Sequence, residues 1–278
     1  MEFQLIERYF QRQAKRPEVV LGNGDDCALL QSKHTLAISI DTLVEGTHFL
    51  QSQIAPLDLG YRALAVNLSD LAAMGAKPLS FLLALTLPQN DQQWLTEFSQ
   101  GLFSLADSFD CELIGGNITK GPLAITIQIT GKLPTGKALK RSGAKAEDNI
   151  FVTGTLGVSP VRPTPRIDFA AGLLDLAHAA IDISDGLIQD LNHLAQASAV
   201  GASLVLPDIP CHEIEKALYR GEDYELCFTA PPESRAAIET LAKQTNTPLA
   251  CIGKITTKQG IFDAQINQAI LIKGYQHF

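Results

Sequence analysis

The chain has 278 residues, 46% apolar and 19% charged, which supplies a packed core and leaves no tract that argues for disorder. Its formal net charge of -8 speaks against nonspecific nucleic-acid binding. No apolar run reaches the ~18 residues of a membrane span, and the five cysteines, odd in number and without C-x-x-C spacing, read as small buried residues of a reducing cytoplasm rather than a disulfide framework.

The opening segment MEFQLIERYFQRQ sets Phe3, Ile6 and Phe10 on one side of an amphipathic helix and lacks the long apolar core of a signal peptide. VLGNGDDCALL, Val20 to Leu30, follows: a turn at Gly22-Asn23-Gly24, two aspartates, then a short apolar run. Neighbouring strand residues point to opposite faces, so Asp25 and Asp26 do not both face one site without a bulge. A carboxylate that faces inward needs a partner or a metal. Thr35–Asp41 alternates as a strand does. Asp58–Met74 has helical spacing and stops at Gly75 and Pro78; Leu79–Leu87 is an apolar strand. Asp91–Phe109 is a helix with Trp94, Leu95, Phe98, Leu102 and Leu105 on its apolar face. Cys111–Gly115 and Leu123–Leu133 return to strand, and ITIQIT alternates strictly.

The polar, turn-rich stretch Pro134–Asp148 marks a domain boundary and gives halves of 1–135 and 136–278. The second half predicts strands at Asn149–Gly154, Ala179–Ser184, Ala202–Leu206, Tyr224–Ala230, Leu249–Ile255 and Ala269–Ile272. Its helices fall at Ile167–Ala177, Leu187–Ser198 and Glu233–Thr245. The class is α+β, in two halves of similar size, each a mixed sheet covered by helices.

The usual phosphate loop, G-x-x-x-x-G-K-[ST], is absent, and GNGDDC has Cys27 where a dinucleotide fingerprint needs its third glycine. The six histidines show no zinc spacing. What recurs is aspartate at the ends of apolar elements: Asp25, Asp26, Asp41, Asp182 and Asp185, with Asn117 after Gly115-Gly116. Taken singly, each also reads as a cap or turn residue. Asp70 is different, because it lies inside the small, apolar helical run AVNLSDLAAMGA, one turn after Asn67. Carboxylates gathered from several elements repel unless cations sit between them. Oxygen-only clusters suit magnesium, which commonly bridges to substrate phosphates. Nucleotide-dependent phosphoryl transfer or an ATP-driven condensation is the chemistry to expect.

Seven segments resemble one family in content and order: GDDCA (Gly24–Ala28), SIDTLVEGTHF (Ser39–Phe49), NLSDLAAMGAKP (Asn67–Pro78), GGN (Gly115–Asn117), RSGAK (Arg141–Lys145), DISDGL (Asp182–Leu187) and GEDYEL (Gly221–Leu226). That family is thiamine-monophosphate kinase, within the aminoimidazole ribonucleotide synthetase-like superfamily. The resemblance implies two α+β halves and a homodimer paired through the N-terminal ones. It implies magnesium ligands at Asp26, Ser39, Ile40 (by its backbone), Asp41, Asp70, Asn117, Asp182 and Asp185. Gly116, Asn117, Arg141 and Ser184 match nucleotide-site positions. His48, Glu222 and Tyr275 match contacts to thiamine phosphate. Asp41, Asp70 and Arg141 are then the groups closest to catalysis.

The implied reaction is magnesium-assisted, in-line transfer of a phosphoryl group from ATP to thiamine monophosphate, which yields thiamine diphosphate. The alternatives are another ATP-dependent synthetase of the superfamily and an inactive nucleotide- and metal-binding protein. The sequence departs from the family in three ways. Asn117 stands where aspartate is often found. TGTLG (Thr153–Gly157) meets VSPVRPTPR almost directly, and the stretch before GEDYEL is short. These abrupt joins predict breaks in the chain near Gly157–Arg162 and Tyr219–Gly221.

Overall fold

The computed structural model describes residues 2–23 and 27–275. The chain divides into two compact units, Met1–Leu71 with Lys77–Gly136, and Ala72–Ala76 with Lys137–Phe278.

In the first unit, α1 (Glu2–Leu5) runs into a wider π-type turn, Ile6–Phe10. The turn buries Phe10 with its ring centroid 6.5 Å from those of Phe98 and Phe103. β1 (Val19–Leu21) and β2 (Leu29–Leu30) pair antiparallel. There follow β3 (Thr35–Val44), α2 (Pro56–Ala73), β4 (Lys77–Leu87), α3 (Gln92–Ser108), β5 (Glu112–Lys120) and β6 (Ala124–Leu133). Pro56 at the first position of α2 suits a helix start, since its missing N–H has no helical partner there anyway. The Asp91 carboxylate caps α3 by accepting from the backbone N–H groups of Gln93 and Trp94, both at 3.0 Å. The sheet order is β3-β6-β4-β5, antiparallel except for the parallel β4/β5 pair. That pairing carries β5 past its expected end at Gly115 and puts Gly116 and Asn117 inside the ladder. Gly116 must be glycine there, because a Cβ would sit 2.1 Å from the Leu83 carbonyl oxygen.

The two faces of this sheet differ. Leu83, Leu85, Ile125, Ile127 and Ile129 are buried. Ile38 and Ile40 are 68% and 62% exposed and alternate with the half-buried Ser39 and Asp41. A groove lined by Ile38, Leu82, Gly115, Gly116, Gln128 and Thr130 runs along the open side.

The second unit contains β7 (Asn149–Thr153), α4 (Ile167–Gly172), β8 (Ala179–Asp182), α5 (Leu187–Ala197), β9 (Gly201–Leu204), α6 (Ile214–Tyr219), β10 (Leu226–Ala230), α7 (Arg235–Gln244), β11 (Leu249–Thr256), β12 (Gly260–Asp263) and β13 (Gln268–Ala269). Its sheet runs β13-β12-β9-β11-β7-β10-β8, with only β12/β9 parallel. Ile150, Val152, Ile181, Leu187, Leu191, Cys227 and Ile252 form its core. The α6 helix and β12 go beyond the elements predicted, and α4 ends five residues early.

Two expectations fail. The backbone is continuous through both short joins, so they are shortened segments and not breaks. The expectation that cysteines are buried holds for Cys111 and Cys227, but Cys27 is exposed, because β2 begins only at Leu29. All five thiols are free, and among the described residues no helix is long and apolar enough to cross a membrane.

Candidate active site

Three predicted groups meet in the first unit. Alternation along β3 turns Ser39 and Asp41 to one face, and α2 lays Asp70 against it. Ser39 Oγ donates to Asp70 Oδ2 at 2.5 Å. Asp70 lies close enough to Asp41 for the two charges to repel. Burial first, and that repulsion second, push the Asp41 carboxyl up to about 6. Asn67, one turn earlier on α2, does not brace Asp70. Its amide donates to the Ala63 carbonyl oxygen at 2.9 Å, and its buried Oδ1 finds no partner among the described residues.

Other predicted residues stand apart. Ile40 points to the open face, so only its backbone is available on the Asp41 side. Asn117 is exposed on β5, paired with Ala84, whose other neighbour in the sheet is Thr126. Asp25 and Asp26 lie outside the described residues. Among the described residues, no group of three or more His, Cys, Asp or Glu side chains forms a metal shell. His48 sits in the turn after β3. Its Nδ1 accepts the Val44 N–H at 3.0 Å, which leaves the ring proton on Nε2.

In the second unit, Asp182 ends β8, 6% exposed, and Ser184 and Asp185 form the turn into α5. This turn is held by a residue that the motif reading missed. Asp190, on the first turn of α5, accepts the N–H groups of Ser184 at 3.0 Å and Asp185 at 2.9 Å through one oxygen, Oδ2. Burial drives its carboxyl up to about 7, against the pull of those donors. GEDYEL packs on the same turn. Glu222 N donates to Ser184 O and Tyr224 N to Ile183 O, both at 2.8 Å, while Tyr275 N donates to Asp185 O at 3.1 Å. Gly221 adopts φ +75° against Ser184, where a Cβ would lie 2.4 Å from the carbonyl oxygen.

Two further carboxylates of GEDYEL are structural. Asp223 accepts the N–H groups of Gly157, Val158 and Ser159 at 2.7–3.0 Å and so folds the first shortened segment around itself. Burial raises its pKa against these bonds. Glu225 takes a two-pronged bond from Arg166, Nε to Oε2 at 2.8 Å and Nη2 to Oε1 at 2.6 Å, and a third from Thr153 Oγ1 at 2.5 Å. Arg141 lies in the RSGAK loop. Ser198 Oγ donates to its carbonyl oxygen at 2.9 Å and accepts from Gly143 and Ala144 N, both at 3.1 Å. The backbone-holding roles of Asp190 and Asp223 are legible in the sequence only in part. Asp190 interrupts the apolar positions Leu187, Ile188 and Leu191, the same anomaly that singles out Asp70.

The Asp41 shift predicts a pH effect on the metal-free protein. A raised folded-state pKa means stability that is present below the unfolded value near 4 and lost as pH rises through about 6. Asp41→Asn should therefore stabilise chelator-treated protein at pH 7 by about 3 kcal/mol, with the gain vanishing toward pH 4. Denaturant titrations at both pH values check this; an equal effect at the two would contradict it.

Fold and motifs together define an AIR synthase-related protein. The family model for the N-terminal domain of AIR synthase related proteins matches residues 24–133, and the C-terminal-domain model matches residues 137–263. Thiamine-monophosphate kinase of Salmonella typhimurium is 46% identical, over 100% of this chain and 98% of that protein. The crystal structure of thiamine-monophosphate kinase from Stenotrophomonas maltophilia superposes with a TM-score of 0.86 at 38% identity, covering 92% of this chain and 93% of that one. A structure described as AaThiL complexed with AMPPCP and TMP gives a TM-score of 0.80 at 32% identity, with 91% of each chain covered. The chain belongs to the thiamine-monophosphate kinase family, whose members are phosphotransferases. The Salmonella alignment spans 319 positions against 278 residues here, so that relative carries positions with no counterpart in this chain.

Proposed function

We propose that this protein transfers the γ-phosphoryl group of ATP directly, in line, to thiamine monophosphate, giving thiamine diphosphate and ADP. The observation that carries the reading is the placement of Ser39, Asp41 and Asp70 together on β3 and α2 in a chain of this family. The neighbouring structure with a nucleotide analogue and TMP supports both substrates.

The donor set fits magnesium. It offers hard oxygens only, two like charges held side by side, and an unpartnered buried amide oxygen at Asn67 one turn away. Asp41, Asp70 and Ser39 would hold the ion in the first unit, where Asp26, Asn117 and the Ile40 backbone are further candidates from the family resemblance; within the second unit, Asp182 and Asp185 would be ligands. When bound, magnesium neutralises negative charge on the two phosphate groups.

The chain's own groups position the reactants. Arg141 and Ser184 bind nucleotide phosphates, and Gly116 and Asn117 line the nucleotide site. His48, Glu222 and Tyr275 contact the thiamine phosphate. A phosphate monoester has a second pKa of about 6, so the attacking oxygen is largely deprotonated at neutral pH and no general base is needed. Catalysis is then positioning plus charge neutralisation. Product analysis after incubation with magnesium, ATP and thiamine phosphate tests the reading.

The open sheet face supports a homodimer through the first unit, since exposed Leu36, Ile38, Ile40 and Leu82 lie on it. Ile38→Glu should then yield monomers in a light-scattering measurement, and an unchanged mass would count against that interface. Free thiols and the absence of a spanning helix among the described residues support a cytoplasmic site of action.

A further inference from the structure

We propose that Asp190 is a positioning residue for this active site, fixing two successive peptide planes whose carbonyls carry the backbone of Glu222 and Tyr224. The proposal rests on the functional reading above for the roles of Glu222 and Tyr275, but its geometry stands alone.

A peptide unit is planar, so fixing its N–H also aims its C=O. The plane joining Ile183 and Ser184 gives its N–H to Asp190 Oδ2 at 3.0 Å and receives Tyr224 N on its carbonyl at 2.8 Å. The plane joining Ser184 and Asp185 gives its N–H to the same oxygen at 2.9 Å and receives Glu222 N at 2.8 Å. The next carbonyl of the turn, that of Asp185, receives Tyr275 N at 3.1 Å. One carboxylate thus stands behind both carbonyls that tie GEDYEL to the DISDG turn, next to the carbonyl that takes the segment after β13. Asp190 is 3% exposed and rooted in α5, its own N–H bonded to the Gly186 carbonyl oxygen at 3.0 Å, so the anchor is rigid.

The side chains on these planes are the predicted metal and phosphate groups Ser184 and Asp185. The segments tied to this turn bring the predicted substrate contacts. Bonds in series polarise one another, so the acceptor at Asp190 and the carbonyls beyond it act as one relay. Asp190 touches neither substrate. It sets where metal-side and substrate-side groups stand relative to one another within this unit.

The test is Asp190→Ala beside Asp190→Asn. In the alanine variant, the KM for thiamine phosphate and the magnesium needed for half-maximal rate should both rise about tenfold or more. Turnover should fall by on the order of 10², the cost of displacing positioned groups by about an ångström. Asparagine places an amide oxygen where Oδ2 accepts two N–H groups, so Asp190→Asn should recover most of the loss. Hydrogen exchange reads the same idea without turnover. The amides of Glu222 and Tyr224 should exchange faster in Asp190→Ala, or in Asp190→Ser if the alanine chain does not fold, and near the wild-type rate in Asp190→Asn, while those of β7 stay protected. Wild-type protein that makes no thiamine diphosphate sinks the functional reading alone; the exchange result still decides the positioning role. Unchanged exchange at the two amides in the variant that lacks the acceptor overturns it. So do a rise in only one of the two concentrations, and an Asp190→Asn chain that cannot fold.

Discussion

Asp70→Asn lowers turnover by on the order of 10²–10³ while the fold stays intact, the scale on which removal of one key electrostatic group acts. The fold survives because Ser39 Oγ needs an acceptor at Asp70 Oδ2, and an amide oxygen supplies one. Helix α2 loses little, since Asn and Asp have similar helix propensities. What disappears is a negative charge that stands beside Asp41 at a cost in repulsion. Two such charges kept together make sense as a cation site. A purely structural carboxylate would tolerate the amide. Initial rates at limiting and excess magnesium separate the two. Turnover within a few-fold of wild type at limiting magnesium would remove Asp70 from the metal site, and partial recovery at high magnesium is the expected companion result.

Arg166→Met destabilises the protein by about 3–5 kcal/mol, the cost of leaving a buried charge uncompensated. Glu225 and Arg166 are both nearly buried, 11% and 12% exposed at their side chains, and the guanidinium binds both carboxylate oxygens. Thr153 Oγ1 remains as a donor but carries no charge. Its oxygen also accepts Leu226 N at 2.8 Å, so the strain reaches the β7/β10 ladder. Adding Glu225→Gln to Arg166→Met should recover much of the loss, because the orphaned charge goes with it. Urea midpoints of the two variants decide the matter. If Arg166→Met shifts stability by less than about 1 kcal/mol, the pair behaves as a surface ion pair and the argument from burial is wrong.

Much of the fold was legible because long elements advertise themselves. The 18-residue α2 and 17-residue α3 each bury a continuous apolar stripe, and ITIQIT alternates as β6 does. Short elements have too few turns to show a period. Helix α6, IEKALY, buries only Ala217 and Leu218, and β12, GIFD, is four residues. The extension of β5 through Gly115-Gly116-Asn117 comes from its neighbour β4, a tertiary cause that glycine content argues against locally. At the site, motif order pointed to Ser39, Asp41 and Asp70, and the structure brings these three together. Asp190 and Asp223 were harder to read because their partners are backbone N–H groups. Asp223 draws its donors from 64–66 residues away, across a join whose length departs from the family. Side-chain spacing carries no trace of such bonds, whereas a lone aspartate on an apolar helix face, as at Asp70 and Asp190, does leave one.

The most direct test of the account is the fate of the γ-phosphate. Purified protein is incubated with magnesium, thiamine monophosphate and ATP labelled in its terminal phosphate, and the products are separated. The account predicts thiamine diphosphate carrying the label in its terminal phosphate, formed in step with ADP. Label released as inorganic phosphate, or transferred to no thiamine species, would contradict it.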